Sequence, residues 1–236
     1  MGRILVAGGA GFIGSYLVRK LIDVGNHVVC LDNLITDDRK NVSELVSNSN
    51  FTFVEYDITK PLESIENELG DITSIYHLAS PASPNALSSR SYINYPIETM
   101  LVNSQGTYNL LNFALKMKAR MLYASTSEVY GDPTVSPQTE DYWGNVNPNG
   151  IRSVYDEAKR FGEAMMMAYK RKFSVDVRIV RIFNTYGERM QKDDGRVVSN
   201  FINQAIENKP MTIFGDGSQT RSFCYVSDLV DGLMKV

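Results

Sequence analysis

"RILVAGGAGFIGSYLVRKLIDVG" (residues 3–25) is the stretch on which the fold turns. Its first five residues, 3–7, form a near-continuous apolar run, as expected of a parallel strand buried on both faces. From about residue 12 to 25 the pattern changes to a helical one, with Ile13, Leu17, Leu21 and Val24 on one face. Between them Gly8, Gly11 and Gly14 give G-x-x-G-x-x-G. Bare glycines let a backbone approach a pyrophosphate seated on the positive N-terminus of the helix. That pattern alone also fits a tight turn. Asp32 closes the next strand-like run, "HVVCLD" (27–32), near the expected spacing of about 20 residues. A carboxylate there can accept from both ribose hydroxyls and repels a 2′-phosphate, so the pattern favours NAD over NADP. Asp57 ends a third run, where it reads equally as a contact to the adenine edge or as a turn cap.

Outward from this unit the alternation continues. Runs at 51–57, 72–80, 120–125 and 175–183 read as strands, and 97–117 and 153–172 as helices. Strands separated by helices predict an α/β fold, a doubly wound parallel Rossmann sheet with right-handed crossovers. Its NAD-binding domain covers 1–183. After about residue 184 the alternation stops, and 184–236 reads as part of a smaller C-terminal substrate-binding lobe. The stretch 131–152, rich in Pro, Asn and Gly, is a long loop, and such loops are usually functional. Apolar residues make up 43% of the 236, enough for a core, and the net charge of −3 lacks the basic clustering a nucleic-acid binder needs. Two cysteines and two histidines show no metal-ligand spacing and no disulfide framework. No apolar run approaches the roughly 20 residues of a membrane span. "MGRILVAGG" starts a strand at once, with no room for a signal peptide. These features together predict a cytoplasmic protein with no membrane or nucleic-acid partner.

A second constellation carries chemistry. Tyr155 and Lys159 lie four apart on one helix, so they share a face. A neighbouring ammonium and a cationic nicotinamide are expected to lower the phenol from its usual pKa of about 10. A phenolate so formed can take a proton from a sugar hydroxyl. Thr126 follows the fifth strand, at the carboxyl edge where ligands bind, and can orient the same oxygen. Tyr-x-x-x-Lys alone fits a solvated helix face, and Glu128 alone fits an exposed carboxylate. The Gly turn and Thr126 give the pair its context. The methionine run at 165–167 reads as core or interface packing.

The stretches "GGAGFIGSYL", "LDNL", "HLASPASP", "ASTSEVYGDP", "YWGNVNP", "YDEAKR", "RIFNTYG", "DDGRVVSNF" and "GDGSQTRSFCYVSDLVDGL" span nearly the whole chain. Together they resemble the UDP-glucuronate decarboxylases (UDP-xylose synthases), a branch of the extended short-chain dehydrogenase/reductases. The resemblance implies bound NAD, a UDP-sugar substrate and a redox-neutral decarboxylation of UDP-glucuronate to UDP-xylose through a 4-keto intermediate. It implies Tyr155 as base, Thr126 and Lys159 as its assistants, and Glu128 acting around decarboxylation. Cofactor contacts would come from Gly8, Gly11, Phe12, Ile13, Gly14, Asp32, Asn33, Asp57, Ile58, Leu78, Ala79, Ser80 and Asn103, with Tyr155 and Lys159. Asn184, Arg196 and Arg221 would hold the substrate, Arg221 as a diphosphate clamp. The 97–117 and 153–172 helices would pair across a homodimer.

Some residues discriminate or depart. Ser127 stands where related 4,6-dehydratases carry an acidic Asp, which disfavours dehydration. Asp37 replaces a common glycine near the adenosine phosphate or ribose and is expected to weaken cofactor binding slightly. Glu188 replaces a usual proline, and 85–95 is slightly longer than its counterpart. The chain ends at Val236 inside a helix predicted from about Ser227, before an arginine that the family places near the sugar carboxylate. An oxidative decarboxylase releasing the 4-keto pentose, a 4-epimerase or 4,6-dehydratase, and an inactive NAD-binding module are the alternatives.

Overall fold

In β1 (Arg3–Ala7) successive side chains face opposite sides of the sheet, and both sides are apolar. Ile4 and Val6 join Val28 and Cys30 in one buried cluster; Leu5 and Ala7 join Val29 and Leu31 in another. A strand apolar on both faces requires a cover on each, and the computed structural model, which describes residues 2–213 and 215–236, supplies both. On one face lies α1 (Phe12–Asp23), contributing Leu17, Val18 and Leu21. On the other lie α4 (Thr107–Met117) and α5 (Ser153–Phe173), contributing Leu110, Leu111 and Met166.

The remaining strands of the sheet are β2 (His27–Asp32), β3 (Phe51–Glu55), β4 (Ser74–His77), β5 (Arg120–Thr126) and β6 (Val177–Ile182). All pair in parallel, in the order β3-β2-β1-β4-β5-β6. The six expected strands are present, three of them trimmed at their ends; the 72–80 run is strand only over Ser74–His77, and its last residues leave the sheet as a loop toward the cleft. The order reverses between β1 and β4, which opens a crevice above their carboxyl ends.

The helix expected at 97–117 has three parts: α3 (Pro96–Leu101), a π-helical turn over Val102–Gly106, and α4. A short α2 (Glu66–Leu69) precedes β4. Beyond residue 183 the chain forms β7 (Asn184–Tyr186) and β8 (Phe223–Tyr225), paired in parallel, with α6 (Val197–Ile206) and α7 (Val226–Lys235). Val226 and Val230 of α7 are buried in the same cluster as Leu17 and Val18 of α1, so this last helix packs onto the first. No described helix is long and apolar enough to cross a membrane.

Candidate active site

The turn after β1 needs glycine for steric reasons. Gly8 has φ +79°, and a Cβ there would lie 2.6 Å from the Ala79 backbone nitrogen. A Cβ on Gly14 would lie 2.0 Å from the Gly8 carbonyl oxygen, so the helix can start this close to the strand only without a side chain. No side chain caps the N-terminus of α1, whose first-turn N–H groups are left for other acceptors. Asp32, buried at the end of β2, accepts from Ala10 N at 3.0 Å and from Leu34 N at 2.9 Å. Burial pushes this carboxyl up and the backbone donors pull it back. With these donors and Asn33 N engaged, the carboxylate still has an acceptor position for a ligand hydroxyl.

Two connected chambers meet at this turn. The larger, about 1260 Å³ and open to solvent, runs from Gly8, Gly11, Phe12, Ile13 and Gly14 past Leu78 and Ser80 to Thr126, Glu128, Tyr155 and Lys159. Asn184 and Arg196 also line it. The smaller, about 640 Å³, is lined by Asp32, Asn33, Asp57, Ile58 and Ala79, and shares Gly8 and Ser80 with the first. Because they adjoin at the glycine turn, the two form an elongated cleft, a shape that suits an extended ligand or two adjoining ones. The Asp57 carboxylate also caps its own turn, accepting from Thr59 N at 2.9 Å. Two of the expected residues lie elsewhere. Asn103 is fully buried behind the chamber wall, where it donates to Ser80 Oγ at 2.9 Å and accepts from the Tyr123 hydroxyl at 2.9 Å. Arg221 is exposed and outside both linings, donating to the Thr220 carbonyl.

At the chemical end, β5 delivers Thr126 and the 3-10 turn Ser127–Tyr130, while α5 delivers Tyr155 and Lys159. The Thr126 hydroxyl accepts from Glu128 N at 3.2 Å. Lys159 Nζ donates to the Ala124 carbonyl at 2.9 Å and stands 5.8 Å from the Tyr155 ring centre. Among the protein's own groups burial prevails at Tyr155, pushing the phenol up to about 12 against the opposing pull of Arg196 and the Thr126 hydrogen bond, so the expected lowering is left to a protonated Lys159 and a bound nicotinamide. Burial equally drives Lys159 down to about 7, with Glu163 opposing it. Desolvation outweighs charge at both groups because both are largely buried.

Several neighbours lay outside the sequence reading. Tyr92 stacks on Tyr155, ring centres 4.8 Å apart and 10° from parallel. Arg152 pairs with the Glu128 carboxylate. Glu163 accepts from Ser125 Oγ at 2.6 Å and from both Nε and Nη2 of Arg181, at 2.9 and 2.8 Å. Glu163 was within reach of sequence, since Tyr155, Lys159 and Glu163 follow one another at four-residue steps. Tyr92 and Arg152 carry no such signal; only the path of the 81–95 loop and the turn before α5 brings them in.

This arrangement places the protein among the doubly wound α/β folds whose ligands lie across the reversal of strand order. Within that class the assignment narrows: residues 4–236 match the NAD dependent epimerase/dehydratase family, and the chain belongs to it. It is 50% identical over 234 residues to UDP-glucuronic acid decarboxylase 1 of Danio rerio, covering 99% of this chain and 53% of that protein. It is 51% identical over 235 residues to UDP-glucuronic acid decarboxylase 5 of Arabidopsis thaliana, covering 99% and 66%. The chain thus spans half to two thirds of the length of these curated relatives. Among solved structures, UDP-glucuronic acid 4-epimerase from Bacillus cereus, in complex with UDP-glucuronic acid and NAD, superposes with a TM-score of 0.81 at 31% identity, covering 98% of this chain and 72% of that one.

Proposed function

We propose that the protein binds NAD and decarboxylates UDP-glucuronate to UDP-xylose without net redox change. The observation that carries this reading is one continuous cleft joining the glycine turn to Thr126, Glu128, Tyr155 and Lys159. The site fits the cofactor on its own geometry. Gly8 and Gly14 let the turn pack backbone against backbone so that α1 starts directly behind β1, the N-terminus of α1 carries no side-chain cap, and the Asp32 carboxylate stands at the strand end beside it. In this reading Gly11, Phe12 and Ile13 hold the diphosphate, Asp32 and Asn33 the adenosine ribose, and Asp57 and Ile58 the adenine edge. Leu78, Ala79 and Ser80 wall the nicotinamide side, with Asn103 holding Ser80 in place.

NAD, when bound, supplies a reversible hydride acceptor, and a ketone at C4 of the sugar stands β to the C5 carboxylate, where it serves as the electron sink for carbon dioxide loss. Tyr155 takes the proton of the C4 hydroxyl, and Thr126 orients that oxygen. The phenol at about 12 must be brought down for this. Lys159, anchored on Ala124, is placed to do so once it carries its proton. Glu128 lies at the mouth and moves protons around the decarboxylated carbon after release from Arg152. Asn184 and Arg196 hold the UDP-sugar, and Arg221 joins them only if its loop, part of the proposed substrate lobe 184–236, closes over the cleft.

We also propose a homodimer. Ile97, Met100 and Leu101 on α3, Tyr108 on α4 and Phe161 on α5 are exposed apolar groups on the helices expected to pair. The two free cysteines fit a reducing compartment such as the cytoplasm.

The deciding experiment incubates the protein with UDP-glucuronate and NAD and follows products by NMR. UDP-xylose with no lasting NADH absorbance is expected. A C4-inverted uronate that keeps its carboxylate would replace this reading with an epimerase, and steadily accumulating NADH would replace it with an oxidative decarboxylase.

A further inference from the structure

Asp37, in the loop after β2, has no part in the chemistry above, yet it faces both chambers. Its Oδ2 lies 3.0 Å from where a Cβ on Gly11 would stand, and its Cγ 3.4 Å. Gly11 is the uncapped N-cap of α1. A carboxylate at this point is favoured by the positive end of the helix, as an anionic ligand would be. Asp37 therefore stands beside the glycine turn, in the cleft where that turn would receive a diphosphate. An ionised carboxylate and a diphosphate cannot share that place without like-charge contact at close range.

The groups around Asp37 hold it close to its ionisation point. Asp32 approaches from the end of β2 and adds to the effect of burial, Arg90 from the 81–95 loop opposes both, and the carboxyl is pushed up to about 7. Cys30 behind it carries no charge at neutral pH, its thiol being driven upward by burial and by the two carboxylates. On its own loop Asp38 is paired with Lys40 at 2.9 Å.

We propose that Asp37 is a proton-linked gate on the dinucleotide cleft: a diphosphate enters as the Asp37 carboxylate beside Gly11 takes up one proton. This rests on the NAD reading above. It makes cofactor affinity fall as pH rises through neutrality. With one proton taken up by a group that titrates at about 7 in the free protein, Kd weakens about tenfold between about pH 6 and about pH 8.

The test is isothermal titration of NAD⁺ into the protein at these two pH values, in two buffers of different ionisation enthalpy. Expected are the tenfold weakening and an uptake at the higher pH that approaches one proton per NAD⁺. Asp37→Asn, checked for an unchanged thermal midpoint, is expected to lose both and to bind about tenfold tighter than wild type at the higher pH. Should Asp37→Asn fail to fold, the proton count on the wild-type protein still decides. A Kd that does not change with pH in the wild-type protein, or an Asp37→Asn variant with the slope intact, overturns the gate alone. Absence of NAD⁺ binding at the lower pH in both folded proteins overturns the cofactor reading, and the gate with it.

Discussion

At Tyr155, burial and charge pull in opposite directions. The ring stacks on Tyr92 and is largely buried, so among the protein's own groups the neutral phenol wins. Replacing it with Phe keeps the stack and removes only the hydroxyl. Tyr155→Phe should therefore lower kcat by about 10²–10⁴ while leaving the NAD⁺ Kd within about twofold. Stopped turnover assays and calorimetry on the same preparation check both halves; near-wild-type kcat removes Tyr155 as the base. Gly14 makes the complementary case for backbone. A methyl there meets the Gly8 carbonyl, and neither atom belongs to a flexible side chain. Gly14→Ala should cost about 1–3 kcal/mol in urea unfolding and weaken NAD⁺ binding as the turn splays; an unchanged unfolding midpoint would refute the contact. At this scale the sequence was readable wherever spacing within one element sets the neighbour. Tyr155 and Lys159 share a helix face by the four-residue step. The partners of Glu128 and Tyr155 were not readable, because Arg152 and Tyr92 arrive through loops whose paths depend on long-range packing.

Among the elements, the interrupted helix from Pro96 to Met117 does the most positioning. Its length was legible from the sequence, but the π turn at Val102–Gly106 was not, since one extra residue in a turn leaves the apolar periodicity almost unchanged. That turn sets Asn103 between Ser80 at the cleft and Tyr123 in the core. Asn103→Ala leaves the buried Tyr123 hydroxyl without its acceptor, a loss of about 1–3 kcal/mol. It also frees Ser80, so weaker NAD⁺ binding should accompany the lower urea midpoint. Destabilisation with unchanged NAD⁺ affinity would confine Asn103 to the core. On the outer side of the same helix Ile97, Met100 and Leu101 lie at i, i+3 and i+4, the spacing of a packing stripe. Met100→Glu places a charge in the proposed dimer seam and should shift sedimentation from dimer to monomer. A wild-type protein that sediments as a monomer would already refute the seam.

For the molecule as a whole, the two-faced burial of β1 made the sheet and its covering helices legible, whereas the return of α7 onto α1 was not. No local pattern tells Val226 that its neighbours are Leu17 and Val18, more than two hundred residues earlier. The same burial sets how stability responds to acid, and here opposing groups must be separated. Asp37 and Asp156 are held up at about 7 and about 6, so the folded state takes their protons before the unfolded chain does and gains stability as pH falls through those values. His77 acts the other way. It is fully buried, shares a hydrogen bond of 3.1 Å with Thr107 Oγ1, and is pushed down to about 3 by burial and then by Lys159. The unfolded chain protonates this imidazole from about pH 6.5 downward while the folded state resists until about 3, so stability is lost across that window. Lys159 adds no slope below about pH 7, where it is protonated folded and unfolded alike. The wild-type curve therefore hides His77 behind the two acids, and a neutral substitute reveals it. Compared with wild type, His77→Gln should gain about 1.4 kcal/mol of relative stability for each pH unit below about 6.5, whatever its cost at neutral pH. Urea unfolding of both proteins at about pH 7 and about pH 5 measures that change; a stability difference constant between the two conditions means that His77 is protonated in the folded state and that the core around Tyr123 tolerates the charge.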